Sequence, residues 1–261
     1  MLTLEHLGQL FHDFNFRQTK ISATQAVALD KSDPYIQLAN NLAHSSTIQE
    51  AGGMEERAAS LGTKSTAVVV QRVFLRFVRG ACEGRSFQES NLSQARNPNL
   101  TLQSRQDIQN KLEDFISMFA ETMGKEEFKN RDSLHLSAPG WQVLGLVFHD
   151  MMFRLGNRLT EPMYKEVVTR LGAVDWSRYN PDWVGMIGEP ERDRVTQEIV
   201  TDPDGRPRVA LSRAGRSTIK AMLQYVREKC ELSELLVSLD ESPDQPGDGV
   251  PSDFTPTKAV V

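Results

Sequence analysis

The chain has 261 residues, of which 39% are hydrophobic and 25% are charged, and this balance is typical of a globular protein that buries a substantial core. No run approaches the ~18 apolar residues of a membrane-spanning helix, and the start, MLTLEHLGQLF, lacks the pattern of a secretory signal. The two cysteines, Cys82 and Cys230, lie far apart, which argues against a disulfide framework. We therefore expect a cytoplasmic protein with no membrane partner.

The net charge of -5 hides an uneven distribution of charge along the chain. Residues 231–261 contain seven acids and one lysine, which leaves 28 of the 35 acids and 29 of the 30 bases in residues 1–230. Residues 57–105 carry eight bases against two acids, and this excess predicts a basic surface. The C-terminal stretch is rich in acids and poor in apolar anchors, so we expect a helical body over 1–230 and a disordered acidic tail over 231–261.

Residues 65–81, STAVVVQRVFLRFVRGA, predict the first strong helix. Its basic residues Arg72, Arg76 and Arg79 recur at helical spacing and fall on one face. The run of valines also suits a strand, but the length of the segment and the period of the arginines favour a helix.

Further helices follow in chain order. Apolar residues recur every three or four positions from Ser104 to Met123, and Ser137 begins a helix that is apolar nearly all round, which predicts a central position. Two more helices are predicted over 161–171, with Gly172 as the stop signal, and over 212–228. Residues 197–201 and 208–211, separated by DPDGRP, predict a hairpin. The fold class is mainly α with a small β-hairpin.

No sequence motif predicts an autonomous catalytic site. There is no phosphate-binding glycine loop and no nucleophile signature. The five histidines are scattered, and a metal at the His149–Asp150 pair would require two further ligands from elsewhere. We therefore expect no cofactor and no metal.

Two features suggest binding, and each has a structural alternative. Arginine suits phosphate because its planar guanidinium donates two hydrogen bonds at once, but the arginine face could equally be solvated and paired with acids. The stretch VDWSRYNPDWVG, residues 174–185, contains two of the three tryptophans. These rings could form a platform for a nucleobase, or they could pin a loop onto the body.

Four segments, taken in order, resemble the DndB-like family, the DGQHR-domain proteins of DNA sulfur modification systems. They are FHDFNFRQTK at 11–20, LDKSDP at 29–34, GGMEERAASLGTKST at 52–66 and VDWSRYNPDWVG. The resemblance covers about residues 8–225, and it carries the family's motifs onto the following positions: Asp13, Asn15, Lys20, Asp175, Trp176, Arg178, Asn180 and Trp183. The DGQHR signature itself does not occur, so the resemblance implies that the family's ParB-like N-terminal portion is missing or supplied by another chain.

The resemblance implies a DNA-binding regulatory or accessory protein of a phosphorothioate-type DNA-modification or defence system. Its partners would be double-stranded DNA and other proteins of that system. The expected phosphate contacts are Arg72, Arg76, Arg79, Arg85, Arg17 and Lys20. Two alternatives stay open. The chain could be a non-catalytic module that docks through Leu10 and Phe11 on a partner carrying the missing domain, or an enzyme with Asp13 and Asn15 as contributors.

Overall fold

The computed structural model describes residues 33–62, 64–85, 102–211 and 215–240. Within these ranges the chain is mainly helical, which confirms the predicted fold class. The α-helices are α1 Pro34–Ala43, α2 Ser46–Ala51, α3 Gln71–Glu83, α4 Leu102–Met123, α5 Lys125–Phe128, α6 Ala138–His149, α7 Glu161–Ala173, α8 Arg216–Lys229 and α9 Leu232–Asp240. A π-helix, Asp150–Leu155, continues α6, and 3-10 turns occupy Leu134–Leu136, Gly156–Arg158 and Pro181–Trp183. Two short strands, β1 Met54–Glu55 and β2 Val69–Val70, pair in parallel.

The centre of the core is the packing of α3 against α6. The Trp141 ring lies edge-on to Phe74 and Phe77, with ring centroids 5.2 Å and 5.3 Å away. Farther along both helices Gly145 faces the backbone of Phe77, and its missing side chain permits the close approach. Every residue of α6 from Pro139 to Phe148 is buried, which confirms the central position that its apolar composition predicts.

Local sequence signals set several helix ends as predicted. The Ser137 hydroxyl accepts a hydrogen bond from the Gly140 N–H and caps α6. Gly124 follows the last residue of α4 with φ of 92°, a conformation that favours glycine and ends the helix. The stripe Leu112, Phe115 and Phe119 of α4 is buried, as its helical spacing requires.

Two predicted boundaries are wrong. The first helix begins at Gln71 and not at residue 65, because Val69 and Val70 are extended and pair with Met54 and Glu55. Gly172 lies inside α7 and does not end it. A Cβ at that position would lie 2.6 Å from the Thr122 methyl carbon of α4, so the glycine serves helix packing.

The predicted hairpin lies in a small antiparallel arrangement over residues 190–209. Thr201 bridges to Pro207 across the DPDGRP turn, where Gly205 has φ of 80°. A third segment joins this pair, because Arg192 bridges to Ile199 and Pro190 bridges to Val209.

The helical body extends past the predicted domain boundary at residue 230. Leu232 and Leu236 of α9 are buried, so this part of the predicted acidic tail is helical. The correction has a simple cause: the leucines of LSELLVSL supply the apolar anchors that the acidic average conceals. Residues 241–261 lie outside the described residues.

Candidate nucleic-acid interface

Arg72 and Arg76 lie one turn apart on the N-terminal half of α3. Arg72 is exposed and Arg76 is half-buried. Within the described part of the chain no carboxylate lies at ion-pair distance from either guanidinium. Burial lowers the pKa of Arg76, and the positive charge of Arg72 lowers it further. Like charges at this spacing repel by a few tenths of a kcal/mol. Because no described carboxylate offsets this repulsion, the two arginines form an uncompensated basic site.

The remaining arginine of the predicted stripe is not available. Arg79 is 8% exposed, and its Nη2 lies 2.7 Å from Oδ2 of Asp33. The guanidinium also lies 5.7 Å from the ring centroid of Tyr35. The prediction of Arg79 as a phosphate contact is therefore corrected: it joins α3 to the start of α1, because the helical face that it shares with Arg72 is covered there by Asp33.

Arg85 follows the end of α3 and is exposed. The preceding residue, Gly84, has φ of 62° and lies against the imidazole of His149, where a Cβ would come within 2.5 Å of Cε1. This contact places Arg85 beside the junction of α6 and the π-helix. Burial lowers the pKa of His149, and nearby Arg154 and Arg227 add to the effect against the opposing charge of Asp150. The imidazole is therefore neutral at neutral pH.

The π-helix is anchored by a buried acid and presents an aromatic ring to solvent. Asp150 is 2% exposed and pairs with Arg227 of α8 at 2.6 Å and with Arg154 at 3.2 Å. Phe153 is 49% exposed, and its inner face packs on His149 with ring centroids 5.1 Å apart. This site is not among those predicted from the sequence. A signal was present: MMFRLGNRLT, residues 151–160, contains two arginines and no acid.

The VDWSRYNPDWVG motif has the structural role that its alternative reading predicted. Trp176 and Trp183 are buried and stack on each other with centroids 6.1 Å apart, so neither ring is exposed to a nucleobase. Arg178 donates to the Val209 carbonyl at 2.9 Å and 2.6 Å and pairs with Glu191 at 2.9 Å. These contacts fasten the 190–209 segment to the body.

Asn180 and Asp175 hold the same motif together internally. The Asn180 amide donates to the Asp175 carbonyl at 2.9 Å, and the Trp183 indole N–H donates to the same oxygen at 3.1 Å. The Asn180 side-chain oxygen accepts from the backbone N–H of Asp182 at 3.0 Å. The residues that the resemblance singled out in this motif thus explain how the loop folds.

An open cleft of about 430 Å³ borders the motif between α7 and α8. Most of the polar groups that line it already form hydrogen bonds or ion pairs with neighbouring side chains. The Tyr225 hydroxyl donates to Asp182 at 2.7 Å, Lys229 lies 3.8 Å from the same carboxylate, and Arg170 pairs with Glu166 and Glu231. Burial, followed by the bond to Asp182, raises the pKa of Tyr225 to about 12.

Several predicted residues lie outside the described part of the chain: Asp13, Asn15, Arg17, Lys20, Leu10 and Phe11. Their expected contacts to DNA or to a partner, and the enzymatic alternative, stay predictions. Among the described residues, no group of three or more His, Cys, Asp or Glu side chains is arranged to hold a metal ion. In the same ranges no helix combines the length and the apolar character that crossing a membrane requires.

A protein-family model matches residues 2–233 of the chain. The matching family is described as DndB, DNA-sulfur modification-associated. Because the match covers most of the chain, the protein belongs to the DndB family, and the resemblance noted in the sequence is confirmed. Membership connects the chain with DNA sulfur modification. No curated protein and no solved structure matches it.

Proposed function

We propose that the chain is a DNA-binding regulatory or accessory protein of a phosphorothioate-type DNA-modification or defence system. The observation that supports it is the pair Arg72 and Arg76, two cations one turn apart without a carboxylate partner among the described residues. Arginine side chains that are not paired with carboxylates are suited to bind the phosphates of a duplex backbone. Contacts to these phosphates dominate the affinity of DNA-binding proteins.

The electrostatics of α3 favour an anion at the same end. Arg72 lies in the first turn, where the helix dipole contributes partial positive charge, and that turn contains no acidic residue. Val70, at the N-cap, provides no side-chain acceptor for the first N–H groups. A phosphate bound to the Arg72 guanidinium would therefore also be attracted by the positive end of the helix dipole.

The test is binding of a fluorescein-labelled duplex, measured by anisotropy at several salt concentrations. The variant is Arg72→Ala combined with Arg76→Ala. Each neutralised phosphate contributes roughly 0.9 to the magnitude of the slope of log affinity against log salt concentration. If each arginine neutralises one phosphate, the double variant should reduce the magnitude of this slope by about 1.8.

The matched control is Arg170→Ala combined with Arg206→Ala. It removes the same two charges, but from arginines that pair with carboxylates on the surface. This control should leave the salt slope close to that of the unmodified protein. The proposal fails if the Arg72 and Arg76 variant binds duplex with unchanged affinity and slope.

A further inference from the structure

We propose that Phe153 is a stacking site for an unpaired nucleobase of DNA, flanked by Arg154 and Arg158 as phosphate contacts. This inference rests on the proposed DNA-binding function and extends it from the duplex backbone to an exposed base. The geometry that supports it is the corner formed by the end of α3, the end of α6 and the π-helix.

The orientation of the Phe153 ring is fixed by its contact with neighbouring residues. Its inner face lies on His149, at 5.1 Å between ring centroids and 34° between ring planes. His149 is held in turn by Gly84, where no side chain would fit. With one face supported and 49% of the residue exposed, the ring can receive a second flat group at little cost in side-chain entropy.

The charges around the ring match a nucleic-acid strand. Arg158 is exposed, and among the described residues no carboxylate pairs with it. Arg154 is held by Asp150 yet keeps 39% of its side chain exposed, whereas Asp150 is buried. Two guanidinium groups that reach solvent therefore flank the ring along the chain. An apolar ring between cations fits a base joined to its phosphates better than it fits an uncharged apolar protein surface.

The backbone at this corner departs from a regular α-helix. The π-helix Asp150–Leu155 directly continues α6, and Gly156, with φ of 51°, leads into the turn that carries Arg158. Single-turn insertions of π-helix are frequent at functional sites. Here the result is that Phe153 and Arg158 both reach solvent, while Met151 and Leu155 stay in the core.

The experiment uses Phe153→Trp as a fluorescent reporter. All three native tryptophans are buried, so a tryptophan at 153 should have red-shifted emission that iodide quenches. Stacking on a base should quench this emission when a duplex with a three-nucleotide gap is added, and much less with an intact duplex of the same length. Val195→Trp is the matched control, because Val195 is 89% exposed on the 190–209 segment. Its emission should not change.

Affinity gives the second measurement. Phe153→Ala should weaken binding of gapped DNA about 5- to 150-fold, which corresponds to base stacking of roughly 1–3 kcal/mol. Intact duplex should bind with unchanged affinity. Phe153→Leu keeps the apolar contact but lacks a flat ring, so it should behave like Phe153→Ala.

The outcomes separate this inference from the function on which it rests. If intact duplex binds through Arg72 and Arg76 while the emission at 153 does not respond to gapped DNA, the stacking site is overturned and the proposed function stands. If Phe153→Leu binds gapped DNA as well as the unmodified protein does, stacking is likewise overturned. If neither form of DNA binds, both proposals fail.

Discussion

The guanidinium of Arg79 and the carboxylate of Asp33 form a buried ion pair with 2.7 Å between Nη2 and Oδ2. The other carboxylate oxygen of Asp33 accepts from the Tyr35 N–H at 2.8 Å and caps α1. The Asp33 side chain thus caps the start of α1 and also binds α3, the helix against which α1 packs. Arg79 is thereby excluded from the basic surface that Arg72 and Arg76 form.

Replacing Asp33 by alanine should strongly destabilise the fold. The substitution removes the carboxylate partner of a buried guanidinium, which typically costs about 3–5 kcal/mol, and it also removes a helix cap. Urea unfolding at pH 7 measures the change. Glu50→Ala is the control, because its pair with Lys125 is exposed and should contribute little to stability. Similar losses in the two variants would contradict the importance of the buried pair.

Replacing Gly145 by alanine should disrupt the packing of α3 against α6. A Cβ there would lie 2.3 Å from the Phe77 carbonyl oxygen, so the two helices must move apart. Overpacking of this kind costs about 1–3 kcal/mol, which a fall in the thermal midpoint would report. Gly62→Ala is the control, since nothing lies within 4 Å of its added carbon and its stability should change by less than about 0.5 kcal/mol. Equal midpoints would be evidence against the close helix contact.

Acidification should destabilise the protein partly through His135. Burial lowers the pKa of this imidazole to about 4, even though the bond to the Phe128 carbonyl opposes the shift. Below pH 6.5 the unfolded chain binds a proton that the folded chain excludes. The free energy of unfolding is therefore not reduced by His135 above pH 6.5. It falls as the pH is lowered from 6.5 towards 4, by up to about 3 kcal/mol.

The measurement is the free energy of unfolding in urea at pH 7, 6 and 5, compared with that of His135→Phe. The phenyl ring keeps the aromatic packing against Phe128 and Phe119 but does not titrate. The variant should depend less on pH than the unmodified protein does, although some dependence should remain because burial also lowers the pKa of His149. Identical pH dependence in both proteins would rule out the assignment to His135.

Replacing Asn180 by alanine should reduce stability and leave DNA affinity unchanged. The Asn180 side chain makes two bonds within the buried motif, to the Asp175 carbonyl and from the Asp182 N–H. Their loss should cost about 1–3 kcal/mol. Gln106→Ala is the control, because this exposed amide bonds only to Asn110 on its own helix within the described contacts. A loss of DNA affinity in folded Asn180→Ala protein would instead give the motif a direct role in binding.

Much of the fold was predictable because its signals are local. The helical spacing of apolar residues in α4 is visible within that segment alone. Ser137 and Gly124 mark helix ends through a hydrogen bond and a dihedral angle that involve only residues a few positions away. The structural role of the two tryptophans was open in the sequence, since a large ring is equally suited to a core and to a binding surface. The path of the surrounding chain decides between these roles, and it buries both rings.

The candidate site was only partly predictable. A helical pattern places Arg72, Arg76 and Arg79 on one face, but it does not show which turn of that face another segment covers. Asp33 lies 46 residues away in the chain and covers the last turn. The arginines of residues 151–160 mark that segment as basic, but the exposure of Phe153 itself was not predictable. An apolar run that begins in a buried helix gives no sign of where a π-helix turns one residue outward.

The sequence by itself determined that the chain is mainly helical, that α6 is central, that basic residues concentrate near α3 and that the DndB resemblance holds. These properties depend on composition, on short-range periodicity and on motifs in order. Only the tertiary structure decided which cations stay free of carboxylates and which rings reach solvent. Those outcomes depend on contacts between residues far apart in the chain, and a pattern along one segment does not specify what packs against it.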